Sequence, residues 1–252
     1  MKELVSTVKK VEKIAENIYS LTVTLPEETV VLGGQFLNIS TGDNSRLLKR
    51  PFGVVKTDGK DVTVCFQVKG EGTAALADAK VGSKLAVTLP LGNGFILNRM
   101  VKNVVVLGGG VGVFPLAPVV NGHNDKHFYT YLGFRNADCV CLLDEFKNSK
   151  KLTVVTDDGS YGKKDNAVNA YFSDKERVEA DLIIACGPPV MLRALKKRMK
   201  EEGVETPCLV SLEERMGCGI GACLVCVCKK ADGGNARVCK DGPVFDINEV
   251  EL

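Results

Sequence analysis

Val62, Val64, Phe66 and Val68 alternate with Thr63, Cys65 and Gln67, and the run is rich in strand formers. Shorter runs of the same character occur at 19–25, 36–40 and 84–89. Asp58-Gly59, Gly33-Gly34 and Gly92-Asn93-Gly94 supply turns between them. Short strands with regular turns predict a small β-barrel over residues 1–98. The pattern then changes. Val104, Val105, Val106 and Leu107 form an unbroken apolar run, as in a strand buried on both faces, and lead into Gly108, Gly109, Gly110 and Gly112 and a predicted helix. Further buried strands are predicted at 128–132, 152–156 and 181–185. Over 189–203, Met191, Leu192, Leu195 and Met199 recur at helical spacing, with Pro188 and Pro189 at the start and Gly203 as the C-terminal cap. Alternating strands and helices predict a parallel α/β sheet over 99–210. Residues 211–252 are glycine-rich and polar, too short to hold together without a staple.

Composition removes several classes of function. With 33 basic and 31 acidic residues among 252 and no basic run, the chain does not read as a nucleic-acid binder. The first 13 residues lack the apolar core of a signal peptide, and no stretch of about 20 apolar residues predicts a membrane span. The most apolar region, 101–120, is broken by four glycines and two prolines. A cytoplasmic protein is expected. His123 and His127 read as surface or loop residues, and no nucleophile–base constellation is present.

Cysteine changes the picture most. Of ten cysteines, five lie within 218–239. Cys218, Cys223, Cys226 and Cys239 stand in a C-x4-C-x2-C-x12-C spacing, whose first part matches the plant-type 2Fe–2S ferredoxin pattern. The glycines between them let a loop wrap a cluster and turn backbone N–H groups toward its sulfurs. Four thiolates can also hold a structural zinc, although C-x4-C is less usual there, and free thiols or a disulfide are further readings. Cys228, two residues after Cys226, faces the same side of an extended segment. It is read as a non-ligand, with an exchange against Cys226 conceivable.

Two more sites follow from glycine and arginine placement. Arg50 at a strand start, before Pro51, Phe52 and Gly53, can neutralise a pyrophosphate by bidentate contact. Gly72 and Thr73 open a predicted helix over 73–78, whose first N–H groups suit phosphate. In the second region Gly109, Gly110 and Gly112 remove side chains where backbone can approach a dinucleotide, although the strict G-x-G-x-x-G form is absent. Asp158, Gly159 and Ser160 follow another strand, and Cys186, Gly187 and Pro188 a further one.

On these segments the chain resembles the ferredoxin–NADP reductase superfamily. The resemblance implies a six-stranded antiparallel FAD-binding barrel (1–98), a Rossmann-like parallel-sheet NAD domain (99–210) and a C-terminal 2Fe–2S ferredoxin-like domain (211–252). It places Arg50, Pro51, Phe52, Gly53, Phe66, Gln67, Val68, Gly72 and Thr73 on FAD. It places Gly109, Gly110, Gly112, Asp158, Gly159, Ser160, Cys186, Gly187 and Pro188 on NAD, with Cys186 near the nicotinamide ring. Gly53 stands where the family usually carries a hydroxyl residue facing the flavin. The string from Ser211 to Cys223, with Met216, Cys218, Gly219, Gly221 and Cys223, is similar to the electron-transfer subunits of type B dihydroorotate dehydrogenase. That resemblance implies a partner: an FMN-containing catalytic subunit in a heterotetramer with two of each chain, passing electrons through the cluster and FAD to NAD⁺ in pyrimidine (UMP) biosynthesis. NAD is expected rather than NADP, because no compact Arg/Lys cluster follows the second strand of the nucleotide region, only Arg135. Related alternatives are diaphorase-type subunits of a sulfhydrogenase or of a bifurcating ferredoxin:NADP oxidoreductase, where an aspartate is expected at the position of Cys218. A non-enzymatic alternative is a zinc-stabilised binding module.

Overall fold

The structure is a computed structural model and describes residues 1–42 and 46–252. Strands β1 (Lys2–Ala15), β2 (Ile18–Thr24), β3 (Phe36–Ile39), β4 (Arg50–Asp58), β5 (Asp61–Gln67) and β6 (Lys84–Leu91) form a closed antiparallel barrel in the order β1-β2-β5-β4-β3-β6. Alternation sends Leu37, Ile39, Val62, Val64, Leu85 and Val87 into its core. Helix α1 (Glu71–Ala77) adds Leu76 to the same core. The pattern of apolar residues does not announce β1. Ser6 and Val8 are its buried members, and the Ser6 hydroxyl is satisfied by donating to Leu85 O at 2.9 Å.

The second unit is a sheet built from β7 (Asn103–Gly109), β8 (His127–Phe134), β9 (Lys151–Thr156), β10 (Lys163–Lys164), β11 (Leu182–Cys186) and β12 (Cys208–Ser211). The order is β10-β9-β8-β7-β11-β12, all parallel. Its faces are covered by α2 (Ala117–Gly122), α3 (Ala167–Phe172) and α4 (Pro189–Glu201). The helix predicted after the glycine loop starts as a 3-10 helix, Gly110–Leu116, before α2. Gly110 enters it at φ +54°, and Pro115, which has no N–H to donate, lies inside it. Helix α4 follows its predicted pattern. Leu192, Leu195 and Met199 are buried, and Gly203 turns the chain at φ +64°.

The tail is tied in more firmly than its composition suggests. A hairpin of β13 (Val227–Lys229) and β14 (Asn235–Arg237) follows the cysteine loop, and β15 (Val244–Asp246) then pairs antiparallel with β12 as the sheet's seventh strand. Phe245, Ile247 and Val250 pack into the same core as Leu192 and Leu195. Edge-strand addition thus does part of the work assigned to a metal staple. No helix among the described residues is long and apolar enough to cross a membrane. His123 sits at the end of α2, with Nδ1 3.0 Å from Val119 O, and His127 opens β8 on the surface.

Candidate functional site

Strands β4 and β5 leave Pro51, Phe52, Gly53, Phe66 and Gln67 on one wall of a cleft that also takes in Thr73. Phe52 and Phe66 stack at 5.1 Å between ring centroids. Across the cleft stand Phe114 and Pro115 of the 3-10 helix and Cys186 at the end of β11. Gly53 sits in this close approach: a Cβ there would lie 3.2 Å from Pro115 Cβ. Arg50 and Gly72 are in contact beside the cleft, since a Cβ on Gly72 would fall 2.3 Å from Arg50 Nε. The Arg50 guanidinium is also oriented by Leu48 O, to which Nη1 donates. The Thr73 hydroxyl caps α1, accepting from Lys69 N (2.9 Å) and Gly70 N (3.1 Å) and donating to Gly70 O (2.8 Å). Val68 is not part of the cleft wall; its N–H donates to Asn17 O at 2.8 Å. Apolar walls, an aromatic pair and an adjacent arginine fit a flavin with its diphosphate.

The nucleotide segments lie at the C-terminal ends of parallel strands, where open α/β sheets bind ligands. Gly109 and Gly112 pack onto the Cys186–Pro188 turn and the start of α4: a Cβ on Gly109 would be 3.1 Å from Pro188 Cδ and 2.6 Å from Met191 Sδ, and one on Gly112 would be 2.4 Å from Cys186 O. Asp158, Gly159 and Ser160 are elsewhere, beyond β9. There Asp158 accepts from Ser160 N and Oγ, and Ser160 Oγ accepts from Ala137 N at 2.8 Å, which joins this loop to the one after β8. The backbone cradle and the distant polar loop fit an extended dinucleotide.

Several cleft residues lie inside the recognised segments without having been assigned to a site: Phe114 and Pro115 of the glycine-loop segment, and Glu213 and Met216 of the string before Cys218, line it. Glu213 faces the open cleft, yet surrounding protein raises its carboxyl pKa against the opposing pull of Lys69. Burial likewise raises the Cys186 thiol, with Glu213 adding to it and Ser211 opposing. Glu213 and Met216 belong to the string from Ser211 to Cys223, the one sequence signal that could have marked them.

Beyond the cleft, the cysteine loop arranges its sulfurs in two pairs. In the first, Cys218 N donates to Cys223 Sγ at 3.3 Å, and Ile220, Ala222 and Cys223 N–H groups point at Cys218 Sγ at 3.3–3.4 Å. Burial opposes ionisation of Cys218, but these donors outweigh it and bring the thiol down to about 6. In the second pair, Cys239 N donates to Cys226 Sγ at 3.4 Å. Gly221 N, donating to Cys239 Sγ at 3.1 Å, links the two pairs. Four cysteine sulfurs with backbone N–H groups directed at them suit a two-iron cluster, whose sulfurs gain charge on reduction. Cys226 and Cys239 are buried, whereas Cys223 is exposed beside Ile220, Leu224 and Val225. Cys228 lies on β13 opposite Ala236 and packs against the core.

Comparison with known proteins agrees with this geometry. The iron–sulfur cluster binding domain of dihydroorotate dehydrogenase B matches residues 213–251. The chain is 38% identical to the dihydroorotate dehydrogenase B (NAD(+)) electron transfer subunit of Bacillus velezensis, covering 100% of both chains. It is 36% identical to that of Streptococcus mutans, over 98% of this chain and 97% of the relative. Among solved structures it resembles an NADH-dependent reduced ferredoxin-NADP oxidoreductase, with TM-score 0.85, 27% identity, and coverage of 98% of this chain and 89% of the other. Phthalate dioxygenase reductase shares the fold at TM-score 0.68 and 15% identity, over 99% of this chain and 96% of the other. FAD, a 2Fe–2S cluster and NAD are the cofactors of this arrangement. The chain belongs to the family of dihydroorotate dehydrogenase B (NAD(+)) electron transfer subunits.

Proposed function

We propose that this chain receives electrons from an FMN-containing dihydroorotate dehydrogenase subunit and delivers them to NAD⁺, in a cytoplasmic complex with two copies of each chain. The observation that carries this reading is the single cleft in which Pro51, Phe52, Gly53 and Phe66 face Cys186 and Phe114, with the paired cysteines on the adjoining loop.

Residues 1–98, 99–210 and 211–252 serve FAD, nucleotide and cluster in turn. When bound, a flavin exchanges single electrons with an iron–sulfur cluster and a hydride with nicotinamide, which is the conversion the relay needs. The protein supplies binding and orientation. Arg50 and the start of α1, at Gly72 and Thr73, hold the diphosphate of FAD. Phe52, Phe66 and Gln67 line its ring, with Pro51 and Gly53 shaping the wall and Val68 supporting the strand end. Gly109, Gly110 and Gly112 admit the nucleotide backbone, Cys186, Gly187 and Pro188 adjoin the nicotinamide end, and Asp158, Gly159 and Ser160 take the adenosine end. Cys218, Cys223, Cys226 and Cys239 are the cluster ligands, and Ile220 and Leu224 face the partner.

The test is a comparison of three samples. The isolated chain should carry two irons, two sulfides and one FAD, and should not oxidise dihydroorotate. Mixing it with the FMN subunit should restore dihydroorotate:NAD⁺ activity. Full activity in the isolated chain would sink the idea, as would a mixture no faster than the partner by itself.

NADH should be preferred to NADPH by about tenfold or more, roughly 1.4 kcal/mol. Arg135 follows β8, and Lys163 and Lys164 form β10, but Asp157 and Asp158 place two carboxylates on the intervening loop. A 2′-phosphate would meet those charges. Steady-state dye reduction with both nucleotides decides the matter, and a tenfold NADPH preference would contradict it.

A further inference from the structure

Strand β3 has an outer face of two residues, Phe36 and Asn38, because Leu37 and Ile39 point into the barrel. Phe36 lines the cleft and packs in the same core as Cys226 and Cys239. Asn38, two residues along, meets the cysteine loop from the barrel side. Its Nδ2 donates to Cys218 O at 3.4 Å. The residue is 3% exposed, and its Oδ1 meets no donor among the described residues. An amide buried with an unused acceptor is a cost to folding, so its place needs a reason. Gly219 supplies the other half of the contact. It turns at φ +72°, and a Cβ there would fall 2.1 Å from Asn38 Nδ2. The loop therefore bends where it meets the amide. The residues that follow carry the N–H donors of Ile220, Ala222 and Cys223 to the Cys218 sulfur.

We propose that Asn38 is a positioning residue for the cluster: it fixes the Cys218–Gly219 peptide, and through it the N–H donors around the Cys218 sulfur. This rests on the reading of the four cysteines as 2Fe–2S ligands. Donors on the sulfurs stabilise the extra negative charge of the reduced cluster. Asn38 thus raises the cluster's midpoint potential from the barrel side while contacting neither redox centre's reacting atoms.

The experiment is a redox titration of the purified holoprotein with the reduced cluster followed by EPR. Asn38→Leu keeps the volume and removes the donor. It should shift the reduction equilibrium by about tenfold, or about 59 mV downward for one electron, and move the g-values, with iron and FAD content unchanged. Asn38→Ser, which keeps a hydroxyl donor, should fall between the two and carries the test if the leucine variant does not fold. Gly219→Ala, pressing the same contact from the loop, should also move the g-values. Wild-type potential and g-values in the Asn38 variants would overturn the proposal while leaving the cluster reading intact. So would iron loss with the remaining holoprotein titrating as wild type. A wild-type chain that holds zinc instead of iron would overturn the reading itself, and the proposal with it.

Discussion

Cys226→Ser should abolish or alter the reduced cluster's EPR signal and lower partner-driven NAD⁺ reduction by about 100-fold or more, while NADH–dye activity stays within about twofold of wild type. Cys226 is 2% exposed and its sulfur accepts from Cys239 N, so a serine there offers a harder, shorter ligand with no room to adjust. Most of the proposed flavin and nicotinamide walls come from β4, β5, the 3-10 helix and the end of β11, with Glu213 and Met216 of the tail at their margin, and none of the four cysteines lines the cleft. Cys228→Ser is the matched control. Cys228 is held in the β13–β14 ladder opposite Ala236, and its loss should leave the signal largely intact. A lost signal in Cys228→Ser together with a normal one in Cys226→Ser would reverse the ligand assignment.

The second large effect concerns the glycine loop. Gly112→Ala should destabilise the protein by about 3 kcal/mol or more, lowering Tm by roughly 6–12 °C. The added methyl would sit 2.4 Å from Cys186 O, 2.5 Å from Cys186 C and 2.6 Å from Gly187 N. All three atoms are backbone of the end of β11 and its turn, so no flexible side chain can move aside. Nicotinamide binding should weaken with it, because the same turn belongs to the proposed nucleotide cradle. Gly110 gives the contrast: nothing lies within 4 Å of its would-be Cβ, and only its φ of +54° resists a side chain. Gly110→Ala should therefore cost about 1–2 kcal/mol. Thermal melts of both variants check the ordering, and a Gly112→Ala protein as stable as wild type would refute the packing argument.

The parts of the molecule that sequence made legible share a physical feature: each carries a constraint that few residue types satisfy. Cysteines at ligand spacing, glycines at close backbone approaches, and strands with strict alternation or unbroken apolar runs all fall in this class. Strand β1 was illegible because its apolar residues do not alternate; a serine satisfied by Leu85 O takes one of its buried places. The edge strand β15 was illegible for a different reason, being only three residues long, too short to show an alternation. Within the site, Phe114, Pro115, Glu213 and Met216 reach the cleft only because the barrel packs against the ends of β11 and β12. Their chemistry comes from tertiary placement. Gly53 is the instructive case: it departs from the superfamily's hydroxyl residue, and a Cβ there would press on Pro115 at 3.2 Å, a neighbour that only the folded structure brings near.

The pairing of β12 with β15 has a consequence for assembly. Leu212 N donates to Pro243 O at 2.9 Å, and every proposed cluster ligand lies between these two residues. The stretch is a hoop whose base is already closed by a sheet. A metal centre built on an unanchored tail must supply the loop-closure entropy itself, a term that grows as (3/2)RT ln n with loop length. Here folding of the nucleotide sheet supplies it, and the cluster has only the interior of the hoop to order. Loss of iron should open the hoop without releasing its ends, so the emptied chain stays poised to take a cluster up again.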